Sequence, residues 1–378
     1  MKRRNVNRRR GNILILTAVL MTALIALLAF AIDLGYAYTA RAELQRSADA
    51  AAIAAAWELI DKNGNPGNES VSTLFANAST KASLFAGLNH VCADAPALAG
   101  SDVVVGYMSN PSNPSCALVT TPSGKVPNAV QVRVQKTSDQ NGKVNFFFAR
   151  VLGFNDTSMQ AQATAAFVSS FAGFQMPKDG TNLGILPYAL DEQTWNNLNT
   201  EGTDNWCYNP ESKTVTGGGD GVKECNLFPQ GTGCPGNRGT VDIGGANNST
   251  ADIARQIVDG ISASDMAQMG GSIKFDADCT LHLNGDTGIS AGVKDELASI
   301  VGKTRFIPIF SSVVGPGNNA DYTIVKFVGV RVLAVKLTGS ASSKYVMVQP
   351  ANVVAKGAIY DPGAPATDYV YSPVWLVR

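Results

Sequence analysis

The chain has 378 residues, 45% of them hydrophobic and only 16% charged, with 37 glycines. That balance suits a strand- and loop-rich exported protein of two or three domains, with sizeable cores, better than a soluble cytoplasmic enzyme. Formal net charge is zero, but Lys2, Arg3, Arg4, Arg8, Arg9 and Arg10 all lie in the first ten residues, leaving 24 basic against 30 acidic side chains in the rest; with no basic stripe beyond residue 10, nucleic acid is excluded as a partner.

Residues 1–12 read as a basic cytoplasmic tail. Residues 13–32 follow without a charge, and only Thr17 and Thr22 are polar. Twenty residues of helix span about 30 Å, the thickness of a bilayer core. The basic cluster precedes this stretch and Asp33 follows it, so the positive-inside rule puts the N-terminus in the cytoplasm and the bulk outside. A cleavable signal would have a shorter apolar core followed by a small-x-small site. Ala29-Phe30-Ala31 has that form but lies inside the run, and the helical pattern continues past Asp33. A retained single-pass anchor is expected.

Beyond the span, Ala37, Ala40, Leu44, Ala48, Ala51 and Ala55 recur at three- and four-residue steps, one face of a helix. The helix is expected to run to about Ile60 and to stop at Asn63-Gly64-Asn65-Pro66-Gly67. Residues 70–88 read as a second, shorter helix. Strands follow at 103–105, at 129–134, where Val130, Val132 and Val134 alternate with Gln131 and Arg133, at 144–151, and at 159–168, where Ala161, Ala163 and Ala165 alternate with Gln160, Gln162 and Thr164. Residues 33–172 therefore predict a long helix on a small antiparallel sheet. The alanine face is read as the packing face for that sheet, with the membrane half left to partners.

A linker is expected at 173–182, where Pro177, Gly180 and polar residues cluster, and a distal α+β domain at 183–378. Its predicted elements are a strand at 184–190, a Cys- and Gly-rich irregular region at 200–237, helices at 249–260 (with Ser249 or Thr250 as cap) and 290–302, and strands at 305–313, 322–337, 344–353 and 369–377. The six cysteines are Cys92, Cys116, Cys207, Cys225, Cys234 and Cys279. An even number in an exported chain predicts disulfides. Cys92–Cys116 is the first pairing expected, and three pairings stay open for the other four. No CxxC occurs, so neither a zinc ribbon nor a thioredoxin-like motif is predicted.

Motifs for chemistry are thin. His90 and His282 are the only histidines, and neither lies in a sequence context that suggests a Ser–His–Asp triad. Gly231-Thr-Gly233-Cys-Pro-Gly236 fits GxGxxG, but Cys234 and Pro235 make it a disulfide-stapled turn and not the strand–helix junction that a dinucleotide needs. Asp276, Asp278, Asn284 and Asp286 could offer oxygens to calcium, yet their spacing matches no EF-hand loop and a solvated loop is the plainer reading. No catalytic residue, cofactor or metal site is predicted.

Arg9-Arg10-Gly11-Asn12, the Ala- and Leu-rich span, Asp33-Leu34-Gly35, Tyr38, Arg41, Leu44-Gln45 and Ala48-Asp49-Ala50-Ala51 resemble the N-terminal region of TadG-like proteins of the tight-adherence (Flp) pilus systems. The likeness covers roughly residues 8–57, and the run from Phe146 to Ala166 resembles the end of the membrane-proximal region in such proteins. Residues 175–378 are only loosely similar to the C-terminal regions of some members. The resemblance implies a non-enzymatic, pilin-like accessory protein of the bacterial inner membrane, with its bulk periplasmic or extracellular. It would act as anchor or minor subunit, and Asp33, Tyr38, Arg41, Leu44, Gln45 and Asp49 would serve anchoring and assembly. Implied partners are the membrane, pseudopilins, the membrane platform and copies of itself. Asp33 would pair with a neighbouring subunit or simply end the span. Related pseudopilins carry Glu at the fifth position after a processing glycine, whereas here Leu16 stands fifth after Gly11, so a helix kept in the membrane is expected. No Asp-x-Ser-x-Ser occurs, so a von Willebrand factor A domain is not predicted. The alternative is a surface adhesin or ligand-binding protein with its specificity in the distal domain.

Overall fold

The computed structural model describes residues 12–63, 71–113, 115–120, 125–228, 239–245, 249–285, 292–361, 364 and 367–377. Helix α1, Asn12–Asn63, is continuous over 52 residues, or about 78 Å. Gly35 is the sole glycine between residues 13 and 60, and no proline interrupts that stretch. The helix divides into two environments. Residues 13–32 are exposed almost throughout, whereas Ala40, Leu44, Ala48, Ala51, Ala52, Ala55, Ala56, Leu59 and Ile60 are buried.

Helix α2, Val71–Leu88, buries Leu74, Ala78, Ala82 and Ala86 against α1. These four-residue steps lie on one helix face, and their small side chains admit the second helix closely. Strands β1 (Val103–Gly106), β2 (Ala129–Lys136) and β3 (Met159–Ala166) pair antiparallel. Val130, Val132, Val134, Ala161, Ala163 and Ala165 face the helices, as their alternation predicts. On the opposite face Arg133 donates to the buried Asp102 carboxylate at 2.9 and 3.0 Å.

The segment 144–151 is not one strand. Only Val144–Asn145 pairs, with Asp156–Thr157, and Ala149–Leu152 forms a 3-10 turn that closes on Gly153 at φ 88°. Phe147 and Phe148 lie in the loop between them; the aromatic run suggested a strand, but no neighbouring strand takes up its backbone.

Beyond the first sheet, β4 (Phe171–Gln175) overlaps the stretch expected as a linker and lies between Ser272–Lys274 and Ala358–Tyr360. Strands β5 (Thr304–Val314), β6 (Asp321–Lys336) and β7 (Tyr345–Pro350) form the main sheet, extended by Cys225–Phe228, Leu281–Asn284 and Leu190–Asp191. Successive residues of β5 and β6 enter different cores: Phe306, Phe310, Tyr322 and Phe327 in one, Ile307, Ile309, Val328 and Val330 in the other. A sheet covered on both faces accounts for the apolar character of these strands.

The predicted helix at 249–260 is Thr250–Asp259, with Ser249 Oγ accepting from the Asp252 amide at 3.2 Å. The helix expected at 290–302 shortens to Lys294–Ser299, and the strand at 184–190 reduces to single bridges at Ile185 and Tyr188 before Leu190–Asp191. The last predicted strand splits in two. Val370–Tyr371 pairs with Val353–Val354, while Trp375–Leu376 crosses back to the first sheet and pairs with β3 at Ala166 and Ala165. Ser372 reinforces that return: its Oγ accepts from the Val168 amide at 2.9 Å, and its own amide donates to the Val168 carbonyl at 2.8 Å.

The expected disulfides are not found among the described residues. Cys92, Cys207, Cys225 and Cys279 are free thiols, so no Cys92–Cys116 bridge exists. Cys92 packs on the α1–α2 core, whereas Cys116 packs with Met108, Ala129 and Ala166 in a separate cluster. Cys225 is buried in its strand, and burial pushes its thiol up to about 12. Cys234 and the GxGxxG pattern lie outside the described residues.

Candidate membrane-proximal assembly site

The chemistry of α1 changes at Asp33. N-terminal to it, Ile13, Leu14, Leu16, Leu20, Leu24, Leu27 and Phe30 project outward with nothing packed on them. The two polar residues of this stretch satisfy themselves. Thr17 and Thr22 donate their hydroxyls to the carbonyls of Ile13 and Ala18 at 2.8 and 2.9 Å. In hydrocarbon a hydroxyl must find an internal acceptor, and this geometry supplies one.

Asp33 is buried, and its carboxylate turns onto its own chain. It accepts from the amides of Phe147 at 2.8 Å, Phe148 at 3.0 Å and Ala149 at 2.6 Å. These amides open the 149–152 turn and have no carbonyl of their own to reach. Burial opposes the charge of Asp33, but the three N–H donors and the nearby Arg150 outweigh it and hold the carboxyl below the usual carboxylate range. Tyr36, one turn on, stacks edge-to-face on Phe147 at 5.1 Å. Its hydroxyl bonds Cys92, which together with burial pushes it up to about 12.

The other predicted residues separate along the helix. Tyr38 and Arg41 are exposed. Leu44 is fully buried in the helix–sheet core. Gln45 donates to Asp49 Oδ1 at 2.7 Å and reaches the Gln162 carbonyl of β3 at 3.3 Å. Leu44 and Gln45 thus hold α1 to its own sheet, with Asp49 orienting Gln45, while Tyr38 and Arg41 are exposed. The periodicity did not reveal the role of Glu43, whose carboxylate accepts from the Cys92 amide at 2.7 Å and ties the chain after α2 to α1.

Elsewhere among the described residues, the other sequence-predicted polar groups pair locally. His282 Nδ1 lies 2.8 Å from Asp321 Oδ2 on the surface. Asp276 closes its own loop through the Asp278 and Thr280 amides at 3.0 and 2.9 Å, and Asp286 lies outside the described residues. A cleft between the first sheet and the rest is lined by Tyr107, Lys125, Phe167, Asp368, Tyr369 and Tyr371. Asp368 there already accepts from Lys326 at 2.8 Å and from Trp195 Nε1 at 2.9 Å.

Residues 11–58 match a family model described as Flp pilus-assembly TadE/G-like. Residues 54–165 match a second, described as Tad-like Flp pilus-assembly. The first covers most of α1, and the second runs from the end of its buried half through β3. No curated protein and no solved structure matches the chain. Through residues 11–165, from the apolar helix to the sheet that buries its second half, this chain is similar to Flp pilus-assembly proteins, TadE/G-like over 11–58 and Tad-like over 54–165.

Proposed function

We propose that the chain is a non-enzymatic, single-pass anchor of the Flp pilus machine. Its residues 13–32 lie in the inner membrane, its basic tail is cytoplasmic and its body periplasmic. The observation that carries this reading is the two-part character of α1. One unbroken helix has an apolar half that no other described residue covers and an alanine-faced half buried against α2 and its own sheet. The second half is therefore a structural spine, and the first is the part left for lipid and for partner helices. The six positive charges before residue 11 set the orientation. Leu16 in place of an acidic fifth residue supports a helix that stays in the membrane as anchor, not one that leaves with a fibre.

Photo-crosslinking in cells from Leu20, Tyr38 and Arg41 of the full-length chain tests this. Capture of a pseudopilin or of the membrane platform is the expected result; recovery of no pilus component overturns the reading. The cleft beside Tyr107, Asp368 and Tyr369 is where an adhesin-type specificity would reside. Cells with surface substitutions there that keep their pili but lose adhesion would favour that second role. Deleting 175–378 cannot separate the two readings, because it also removes Trp375–Leu376 from the first sheet.

A further inference from the structure

Loop 146–154 meets α1 where its apolar surface ends. It carries Phe147, Phe148, Val151, Leu152 and Phe154, all exposed, Val151 to 88% and Leu152 to 78%. Among the described residues, five of the thirteen exposed large hydrophobics beyond residue 38 fall within the eight positions 147–154. Exposed apolar side chains scattered singly need no explanation, but a cluster this dense does.

We propose that this loop is a second membrane contact: it seats its apolar side chains in the interfacial layer of the bilayer, beside the span, and so fixes the height and rotation of the body on α1. Three observations select lipid as the occupant. The loop is clamped at residue 33, the first position past the uncharged stretch, so its apolar patch continues the exposed surface of 13–32. Most of its backbone amides are already paired within the chain. Asp33 takes the amides of 147–149, and those of Phe146, Val151, Gly153 and Phe154 donate to carbonyls of Asn155, Phe148, Arg150 and Ala149 at 3.0 to 3.1 Å. A loop entering the low-dielectric layer needs these groups paired, since each one left open costs several kcal/mol there. Finally, the only charge within 146–154 is Arg150, which is exposed and long enough to reach lipid phosphate while its neighbours insert. Asp33 is in this view a positioning residue. It joins the span to the loop and satisfies the loop's amides in one step.

The inference rests on the reading of 13–32 as a span, and one experiment separates the two. The unmodified full-length chain is reconstituted in phosphatidylethanolamine–phosphatidylglycerol vesicles. A fraction of the lipid carries a diazirine on the acyl chain, either near the glycerol or at the terminal methyl. After irradiation, adducts are mapped by peptide mass spectrometry. The expected result is labelling of 13–32 by both probes, of 147–154 by the upper-chain probe only, and of neither at the exposed, distal Val314. Labelling of 13–32 with none at 147–154 overturns the loop proposal and leaves the span intact. In vesicles that hold only this chain, a second copy covering the loop would give that pattern and equally overturn lipid as the occupant. Absence of label at 13–32 overturns the span itself. A second measurement uses Asp33→Asn, which should reduce the upper-chain adducts on 147–154 while leaving those on 13–32 unchanged; equal loop labelling in both proteins would remove Asp33 from the mechanism.

Discussion

The return of the C-terminus to the first sheet makes a sharp prediction at Ser372. This residue is fully buried, and its hydroxyl is the acceptor for the Val168 amide at 2.9 Å. Ser372→Ala removes the acceptor without changing the backbone and leaves a buried N–H unpaired. Such a group costs about 1–3 kcal/mol. At about 1.4 kcal/mol per factor of ten, opening of the docked segment should rise roughly 5- to 150-fold. The reporters are backbone amides whose own hydrogen bonds the substitution leaves in place. The Ser372 amide donates to Val168 O and the Val377 amide to Thr164 O, both at 2.8 Å. Native-state hydrogen exchange reads their opening free energies one by one. Both should lose protection by that factor, while Val328, in the middle of β6, keeps its own. Wild-type protection at Ser372 and Val377 would refute the idea that the 372–377 segment is held to the first sheet through this contact.

Four further outcomes follow from the same geometry. Ala82→Leu forces a larger side chain into the fully closed α1–α2 contact and should destabilise the protein by about 1–3 kcal/mol in chemical denaturation; an unchanged midpoint would mean that the helices are not close-packed there. Gly173→Ala places a Cβ against the Ile273 carbonyl at a backbone φ of 150°, so proteolysis should open the strands around β4 while α1–α2 stays protected. Asp33 has a depressed carboxyl, so the hold on loop 146–154 is complete above the ordinary carboxylate range near pH 4. It is lost as pH falls through the lower folded value, and exchange at the 147–149 amides should accelerate only on that acid side. Alkylation without reductant should modify Cys279 in the native protein and Cys225 only after unfolding, with no Cys92–Cys116 linked peptide in the digest; finding that peptide would restore the disulfide reading.

Local pattern made much of this protein legible in advance. The uncharged stretch 13–32, the three- and four-residue alanine steps after it, and the alternations at 129–134 and 159–166 each report on neighbours within one element. Period and composition suffice for that, and α1, α2, β2 and β3 follow. The same holds for β5 to β7, whose β-branched content and length mark strands whatever they pair with. The family resemblance drew on the same spacings along α1.

Tertiary structure decided what depends on residues far apart in the chain. Asp33 meets amides 114 to 116 positions away, so its role as clamp could not be read from a helix that simply ends in an acid. The aromatic run at 146–148 promised a strand, yet lacking a partner strand it became an exposed loop on α1. Cysteine count suggested bridges, but a bridge needs two thiols in one place, and Cys92 and Cys116 sit in different cores. Composition placed a linker after residue 172, while the pairing of Trp375–Leu376 with β3 was decided by backbone groups left open at a sheet edge, which no local pattern records. The sequence alone determined that one helix has an apolar half and an alanine-faced half; only the fold determined what sits at the junction between them, because that contact belongs to two segments more than a hundred residues apart.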